Sequence, residues 1–434
     1  MSGKEKINSI PTSFRRVAKS FGIEEYELKK NGLKVLYKHD GTSPVVGVMV
    51  TYLVGSRHEA TGHTGSTHIL EHLMFKGSKK FPSKKGVSAL DILGKRGALV
   101  NASTWLDRTN YYEVLPSEHF EFALELEADR MRNAIITQKH LKEELPAVIS
   151  EYAMHENNPS ESLSNGMWAT AFMAHPYHHP TIGWLSDIEN TSVKKLKNFY
   201  DTYYHPNNAV VTIVGDVEKR KALSLVQKYF GVYKKSEKEI PFPHTTEPEQ
   251  TGKRFFEINR NGKNIVAVAF KVPEALSEDT PNIVALNELL ASGKTSRLYR
   301  ALVDTGMASS VWSEYMSFYD SSLMAFFVTL NNGVKHEDVE NVITNVCKKV
   351  VSKGVLKNEL SRALNSYLTE MGVGTDGHYA LLSTLNEAIA TGDWRFFFNL
   401  SKKLNKVTPK TVREVAKKYL NENGMTVGYY RTIK

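Results

Sequence analysis

The sequence predicts an α+β fold of two homologous domains, each a mostly antiparallel sheet with helices packed on it, joined by a linker. Three observations carry this. Strand-like and helix-like segments are mixed without a regular βαβα alternation, which argues against a doubly wound parallel sheet. The seam YKKSEKEIPFPHTTEPEQTGKR, Tyr233 to Arg254, sets three prolines among charged and polar residues and divides the chain into halves of similar length. Finally, SVKKLKNFYDTYYHPNNAVVTIVG from Ser192 aligns without gaps on TPKTVREVAKKYLNENGMTVGYY from Thr408; each reads as a helix, an Asn-rich turn and a β-branched strand. The expected division is an N-terminal domain at 1–234, a linker at 235–253 and a homologous C-terminal domain at 254–434. At 434 residues the chain exceeds the roughly 250–300 at which a single core stops growing.

In chain order, GLKVLYKHD and VVGVMVTYLVGS alternate as strands. From Gly62 to Gly77 the apolar period becomes helical. GALVNASTWLDRTNYYEVLP reads as two strands joined by a polar turn at Leu106, Asp107 and Arg108. LPSEHFEFALELEADRMRNAI and HLKEELPAVISEYAMHE follow as longer helices, with Pro146 expected to start or kink the second. In the helical VENVITNVCKKVV, the spacing of Cys347 with Val342 and Val346 reads it as a small buried residue. As the single cysteine it can form neither an intrachain disulfide nor a cysteine metal cage.

Hydrophobic residues at 41% and charged residues at 24% are ordinary for a soluble globular protein, and no apolar run approaches the roughly 18 residues of a membrane span. The start, MSGKEKINSIPTSFRRVAKS, is positive but has no apolar stretch after it, so the sequence as given predicts a bacterial-type soluble protein without a secretory signal. That means a cytoplasmic protein as given, or a periplasmic one if a leader has been removed. The net charge of +9 is spread over lysines on exposed helix faces, with no basic motif interleaved with aromatics, so no nucleic-acid partner is expected.

The chemistry concentrates in TGHTGSTHILEHLMFKG, Thr61 to Gly77. In His68-Ile69-Leu70-Glu71-His72, a helix turning about 100° per residue puts Glu71 and His72 within about 60° either side of His68. Two imidazoles at this spacing can hold one zinc ion, with Glu71 beside it to take a proton from activated water. His63, five residues before His68, falls off that face. Such a site wants a third protein ligand, usually a carboxylate. Glu144 and Glu151 lie seven residues apart, two helical turns, and His155 shares their face one turn on. One carboxylate could serve as ligand and the other could hold a histidine in its tautomer. Solvated helix charges would account for the pair equally well. The histidines of AHPYHHP (His175, His178, His179) sit between prolines in a rigid loop, and MGVGTDG, Met371 to Gly377, lacks the Lys-Ser/Thr of a phosphate loop and reads as a mobile loop.

HILEH, the pair Glu144 and Glu151, NASTWLDRTNYY, YYHPNNAVVTIVGD and SGKTSRLYRAL, in that order over nearly the whole chain, resemble the M16 (pitrilysin) metallopeptidases. The likeness is to the short processing-peptidase-like members, and the inverted motif is the inverzincin signature. The resemblance implies one Zn2+ held by His68, His72 and Glu151, with Glu71 as general base and Glu144 as the supporting glutamate. It implies that Asn101, Ala102, Ser103 and Thr104 form an edge strand that pairs with the backbone of an extended peptide. It also implies that the two domains enclose a chamber. One departure stands out: the family carries an Arg after SRLY and a Tyr seven residues later that reach the substrate, where RALVDTGMASSVWSEY has Val303 and Ser310, with Tyr315 too far along. The expected protein is therefore a zinc metalloendopeptidase acting as a heterodimer with a homologous subunit that lacks the zinc motif but carries the Arg and Tyr; a homodimer ranks second. The competing expectation is a non-catalytic peptide-binding or scaffolding member of the same fold.

Overall fold

The computed structural model describes residues 10–82 and 88–433; the first nine residues, part of the stretch read for a leader, lie outside it. Seven strands make the first sheet: β1 Phe14–Ser20, β2 Ile23–Leu28, β3 Leu33–His39, β4 Val45–Tyr52, β5 Leu99–Thr104, β6 Thr109–Pro116 and β7 Ala209–Gly215, in the order β1-β2-β3-β7-β4-β6-β5. Five make the second: β8 Arg254–Asn259, β9 Ile265–Val272, β10 Ala308–Tyr315, β11 Ser322–Leu330 and β12 Met425–Arg431, in the order β10-β11-β9-β12-β8. Central strands are apolar on both faces: every residue of β7, AVVTIVG, is buried. The edge strand β8, RFFEIN, instead alternates half-buried with exposed residues.

The sheets repeat one another. The order β3-β7-β4-β6-β5 matches β8-β12-β9-β11-β10, and in both the first pair is parallel and the rest antiparallel. The internal sequence repeat falls on equivalent elements, helix Val193–Tyr203 before β7 and helix Pro409–Tyr419 before β12. The first sheet adds the hairpin β1–β2, for which the sequence offered no expectation. Its two-residue turn, Phe21 (φ 54) and Gly22 (φ 76), takes the left-handed conformations that twist a tight hairpin correctly, but Phe-Gly is not among the usual signals for it.

By contact the chain forms two units: one of residues 1–150, 181–244 and 374–395, the other of 151–180, 245–373 and 396–434. Each sheet therefore recruits a helix from the opposite half of the sequence. Helix His378–Ala390 joins the first unit, where Leu382 seats against Gly47 of β4 and Thr51 Oγ1 donates to Asn386 Oδ1 at 2.8 Å. Helix Pro159–Ala171 joins the second, with Gly166 against Phe256 of β8.

Residues 235–253 form no helix or strand, yet they are tied down. Phe242 lies under the Arg57 guanidinium, 4.6 Å from the ring centre, in the first unit. In the second, the Glu247 carboxylate accepts the backbone N–H groups of Met173, Ala174 and His175. The turn between β5 and β6 is not the solvated feature its polarity suggested: Leu106, Asp107 and Arg108 are all buried, and Asp107 pairs with Arg57 at 3.1 Å. Cys347 is buried as expected. No helix among the described residues is long and apolar enough to cross a membrane.

Candidate active site

Helix Ser66–Leu73 carries the H-x-x-E-H motif, and His63 lies in the turn before it. Its entry is fixed by backbone contact. Gly65 caps the helix at φ 83, where a Cβ would meet the Ile182 carbonyl oxygen at 2.5 Å, and a Cβ on Gly183 would meet Gly65 Cα at 2.6 Å. The first turn's free amides are taken by Glu59, which accepts from Gly65 N at 2.8 Å and Thr67 N at 2.6 Å. Burial pushes the Glu59 carboxyl up to about 8; the Thr67 and Gly65 hydrogen bonds oppose that rise and nearby Asp187 adds to it. Ile69, Leu70 and Leu73 are fully buried, which leaves His68, Glu71 and His72 half-buried on the opposite face.

Helix Gln138–Asn157 runs unbroken through Pro146, so the kink expected there does not interrupt it. Glu144 faces His72, with Oε2 3.2 Å from Nδ1, and its other oxygen pairs with Lys76 Nζ. Burial raises the Glu144 pKa, but the hydrogen bonds from Lys76 and His72 outweigh it and hold the carboxyl below its usual value. With Nδ1–H of His72 donating to this carboxylate, Nε2 is left as the nitrogen with a lone pair. Glu151 follows two turns later. The boundary between the contact units falls at Ser150/Glu151, inside this continuous helix, so Glu151 is carried by the helix that also presents Glu144. One ligand atom each from His68, His72 and Glu151 lie within 4.8 Å of one another. Two imidazoles and a carboxylate are the donor set of a catalytic zinc site with three protein ligands, so the residues present fit the ion. His155 Nε2 stands 3.7 Å from Glu151 Oε1, and its Nδ1 contacts Glu161.

Strand β5 is an edge, hydrogen-bonded to β6 alone among the described strands. Thr104 Oγ1 donates to Glu71 Oε2 at 2.5 Å, which ties the strand to the motif helix. The register pairs Thr104 with Thr109 and Ser103 with Asn110, and Trp105 N donates to the Arg108 carbonyl at 2.9 Å. Antiparallel alternation then turns the main-chain groups of Asn101 and Ser103 toward β6 and those of Val100, Ala102 and Thr104 outward. The Ala102 N–H is met by the side-chain oxygen of Asn101 at 2.9 Å. The four residues expected to bind a peptide backbone thus divide into two pairs, of which only Ala102 and Thr104 present main-chain groups on the outer side.

In the C-terminal half, Val303 ends helix Arg297–Leu302 and packs on the apolar core, while Ser310 is exposed on β10. The Tyr315 hydroxyl sits 3.2 Å from Ser317 Oγ, and burial pushes its phenol up to about 12. In the histidine cluster, His175 Nε2 meets Asp320 at 3.1 Å, while Nδ1 of His178 and of His179 meet the carbonyls of His175 and Pro180. Helix Lys357–Val373 takes in the first three residues of MGVGTDG, leaving a turn of only four. Sequence reasoning missed Glu59, Lys76 and the Thr104–Glu71 bond. Lys76 was findable, one turn beyond His72; the other two meet their partners only through the fold.

Two family models match the chain, "Insulinase (Peptidase family M16)" over residues 34–183 and "Peptidase M16 inactive domain" over residues 190–367. The zinc protease PqqE of Helicobacter pylori is 35% identical over 340 residues, covering 77% of this chain and 76% of that protein. The crystal structure of a protease from Helicobacter pylori superposes with a TM-score of 0.89 at 29% identity, over 94% of this chain and 99% of that one. The periplasmic protease PqqL of Escherichia coli shares the fold with a TM-score of 0.75 at 18% identity; 96% of this chain covers 48% of it.

Proposed function

The chain belongs to the M16 family of peptidases, and from that premise we propose that it is a zinc-dependent endopeptidase of the processing-peptidase-like type. It would cut peptides or unfolded segments laid along β5 as an added strand. The observation that carries this reading is the convergence of His68, His72 and Glu151 ligand atoms within 4.8 Å on the face that also bears Glu71. Zinc held by those three residues supplies a Lewis acid that lowers the pKa of water and polarises a carbonyl.

The remaining work falls to side chains of the protein. Glu71, held by Thr104, accepts the proton of the attacking water and returns it to the leaving amine. Glu144 fixes the tautomer and ring orientation of His72, and Lys76 keeps that carboxylate charged. Outward main-chain groups of Ala102 and Thr104 pair with the peptide, so the residue that moves the proton and the strand that holds the substrate share one hydrogen bond.

Val303 and Ser310 supply neither a cation nor a phenol, and the Tyr315 hydroxyl is engaged by Ser317. We assign the missing pair to a homologous partner subunit without the zinc motif, with a second copy of this chain as the lesser alternative. A relative about twice this length, such as PqqL, has room for two such halves in one polypeptide.

The test is Glu71→Gln. Elemental analysis should find zinc retained, while cleavage of an unfolded peptide falls about 10²–10⁴-fold, the range of a lost general base. Undiminished cleavage would sink the assignment. The same assay, run with and without a candidate homologous subunit that lacks the zinc motif, tests the partner: robust activity from the pure chain alone overturns it.

A further inference from the structure

Arg108 is a buried cation, 7% exposed, with no part in the chemistry described above, yet it is tied to the strand proposed to hold the substrate. Its Nη1 donates to the Ser103 carbonyl at 3.0 Å and to Ser103 Oγ at 2.7 Å. From the other side, Nε donates to Glu387 Oε1 at 3.1 Å, and Nη2 pairs with the same oxygen. Glu387 belongs to helix His378–Ala390, within the same contact unit as β5. That helix is itself pinned to β4 through Asn386, which accepts from Thr51 and donates to Glu387 at 3.0 Å.

We propose that Arg108 is the positioning residue of the substrate strand, held by Glu387 through Nε and Nη2 so that its Nη1 fixes Ser103 and with it the register of Asn101–Thr104. An edge strand is restrained by a ladder on one side only, and a slip of one residue exchanges its inward and outward groups. Here the exchange would turn the outward groups of Ala102 and Thr104 toward β6 and carry Thr104 off Glu71. A planar guanidinium bonded to both the carbonyl and the hydroxyl of one residue, and anchored on its far side to a carboxylate, resists that slip as a single ammonium cannot. The position of the peptide against the proton-accepting carboxylate is thereby set by a helix from the far end of the sequence. The inference rests on the reading of β5 as the substrate strand.

Two measurements on Arg108→Met test it. Without peptide, amide hydrogen exchange at Asn101 and Ser103 should quicken about tenfold or more while β4 amides keep their rates; unchanged exchange in β5 overturns the proposal. In a Glu71→Gln background, which does not cut, the affinity for a fluorescent unfolded peptide should drop about tenfold at unchanged zinc content, with Arg108→Lys recovering only part of it. Faster exchange with unaltered affinity also overturns the proposal. If Glu71→Gln with Arg108 intact binds no extended peptide, the substrate-strand reading fails instead, and the exchange data still decide whether Arg108 fixes the strand. Should Arg108→Met not fold, Glu387→Ala releases the guanidinium without removing it and should give the same pair of effects.

Discussion

Glu144 is the residue whose placement the sequence left most open, because a proline two positions later argues against a regular helix. The chain keeps the helix: Pro146 is exposed, its carbonyl accepts Ser150 Oγ at 2.8 Å, and both glutamates come to the same side. His68, Glu71 and His72 were legible because their relation is local, set by helix geometry over five residues. Glu59 and the Thr104–Glu71 bond were not, because nothing in the neighbourhoods of Glu59 and Thr104 announces a partner in helix Ser66–Leu73. If Glu144 orients His72, then Glu144→Gln, which keeps the shape and loses the charge, should weaken zinc about 10- to 100-fold by chelator competition. The folded state should persist. Equal zinc affinity in the two proteins would reduce Glu144 to a surface partner of Lys76.

Among elements, the motif helix depends on its entry more than on its propensity. STHILEHL contains a β-branched Thr and Ile and two histidines, poor helix formers, so backbone packing at Gly65 and the Glu59 cap must hold the first turn. Gly62 offers an internal control, since it also has a left-handed φ of 81 but no atom within 4 Å of a built Cβ. Gly62→Ala should cost only the left-handed penalty, about 1–2 kcal/mol in denaturant unfolding. Gly65→Ala must also push away the Ile182 carbonyl, so it should cost several kcal/mol more and weaken zinc binding besides. Equal costs would mean that the loop at Ile182 yields easily and does not position the helix. The same reasoning explains which strands were legible. β3 to β6 announce themselves by alternation and polar turns, whereas β1 and β2 are polar strands joined by Phe-Gly, and only pairing with β3 makes them a sheet.

For the whole molecule, the duplication legible in Ser192–Gly215 and Thr408–Tyr430 is real at the level of topology, but it is not the division by which the chain packs. The sequence locates the repeat because each copy carries its own helix, turn and strand; it cannot reveal that each sheet is covered by a helix from the other copy, since that choice is made by surfaces rather than by neighbours. Helix His378–Ala390 buries Leu381, Leu382, Leu385 and Ile389 in the first unit. At roughly 1.5–3 kcal/mol for each buried aliphatic side chain, the four contribute on the order of 6–12 kcal/mol, comparable with the net stability of about 5–15 kcal/mol of an entire domain. A fragment of residues 1–244 holds all seven strands of the first sheet but not this helix. It should therefore fail to melt cooperatively and should aggregate, with Met49, Thr51 and the rest of the β4 face that meets this helix losing their cover, even though it contains His68, His72 and Glu151. Co-expression with residues 245–434 should restore a soluble one-to-one complex, detectable by size-exclusion chromatography and by recovered zinc. A monomeric 1–244 fragment melting near the full chain's temperature would show that the first half folds by itself and that the exchanged helix is an addition to a finished domain.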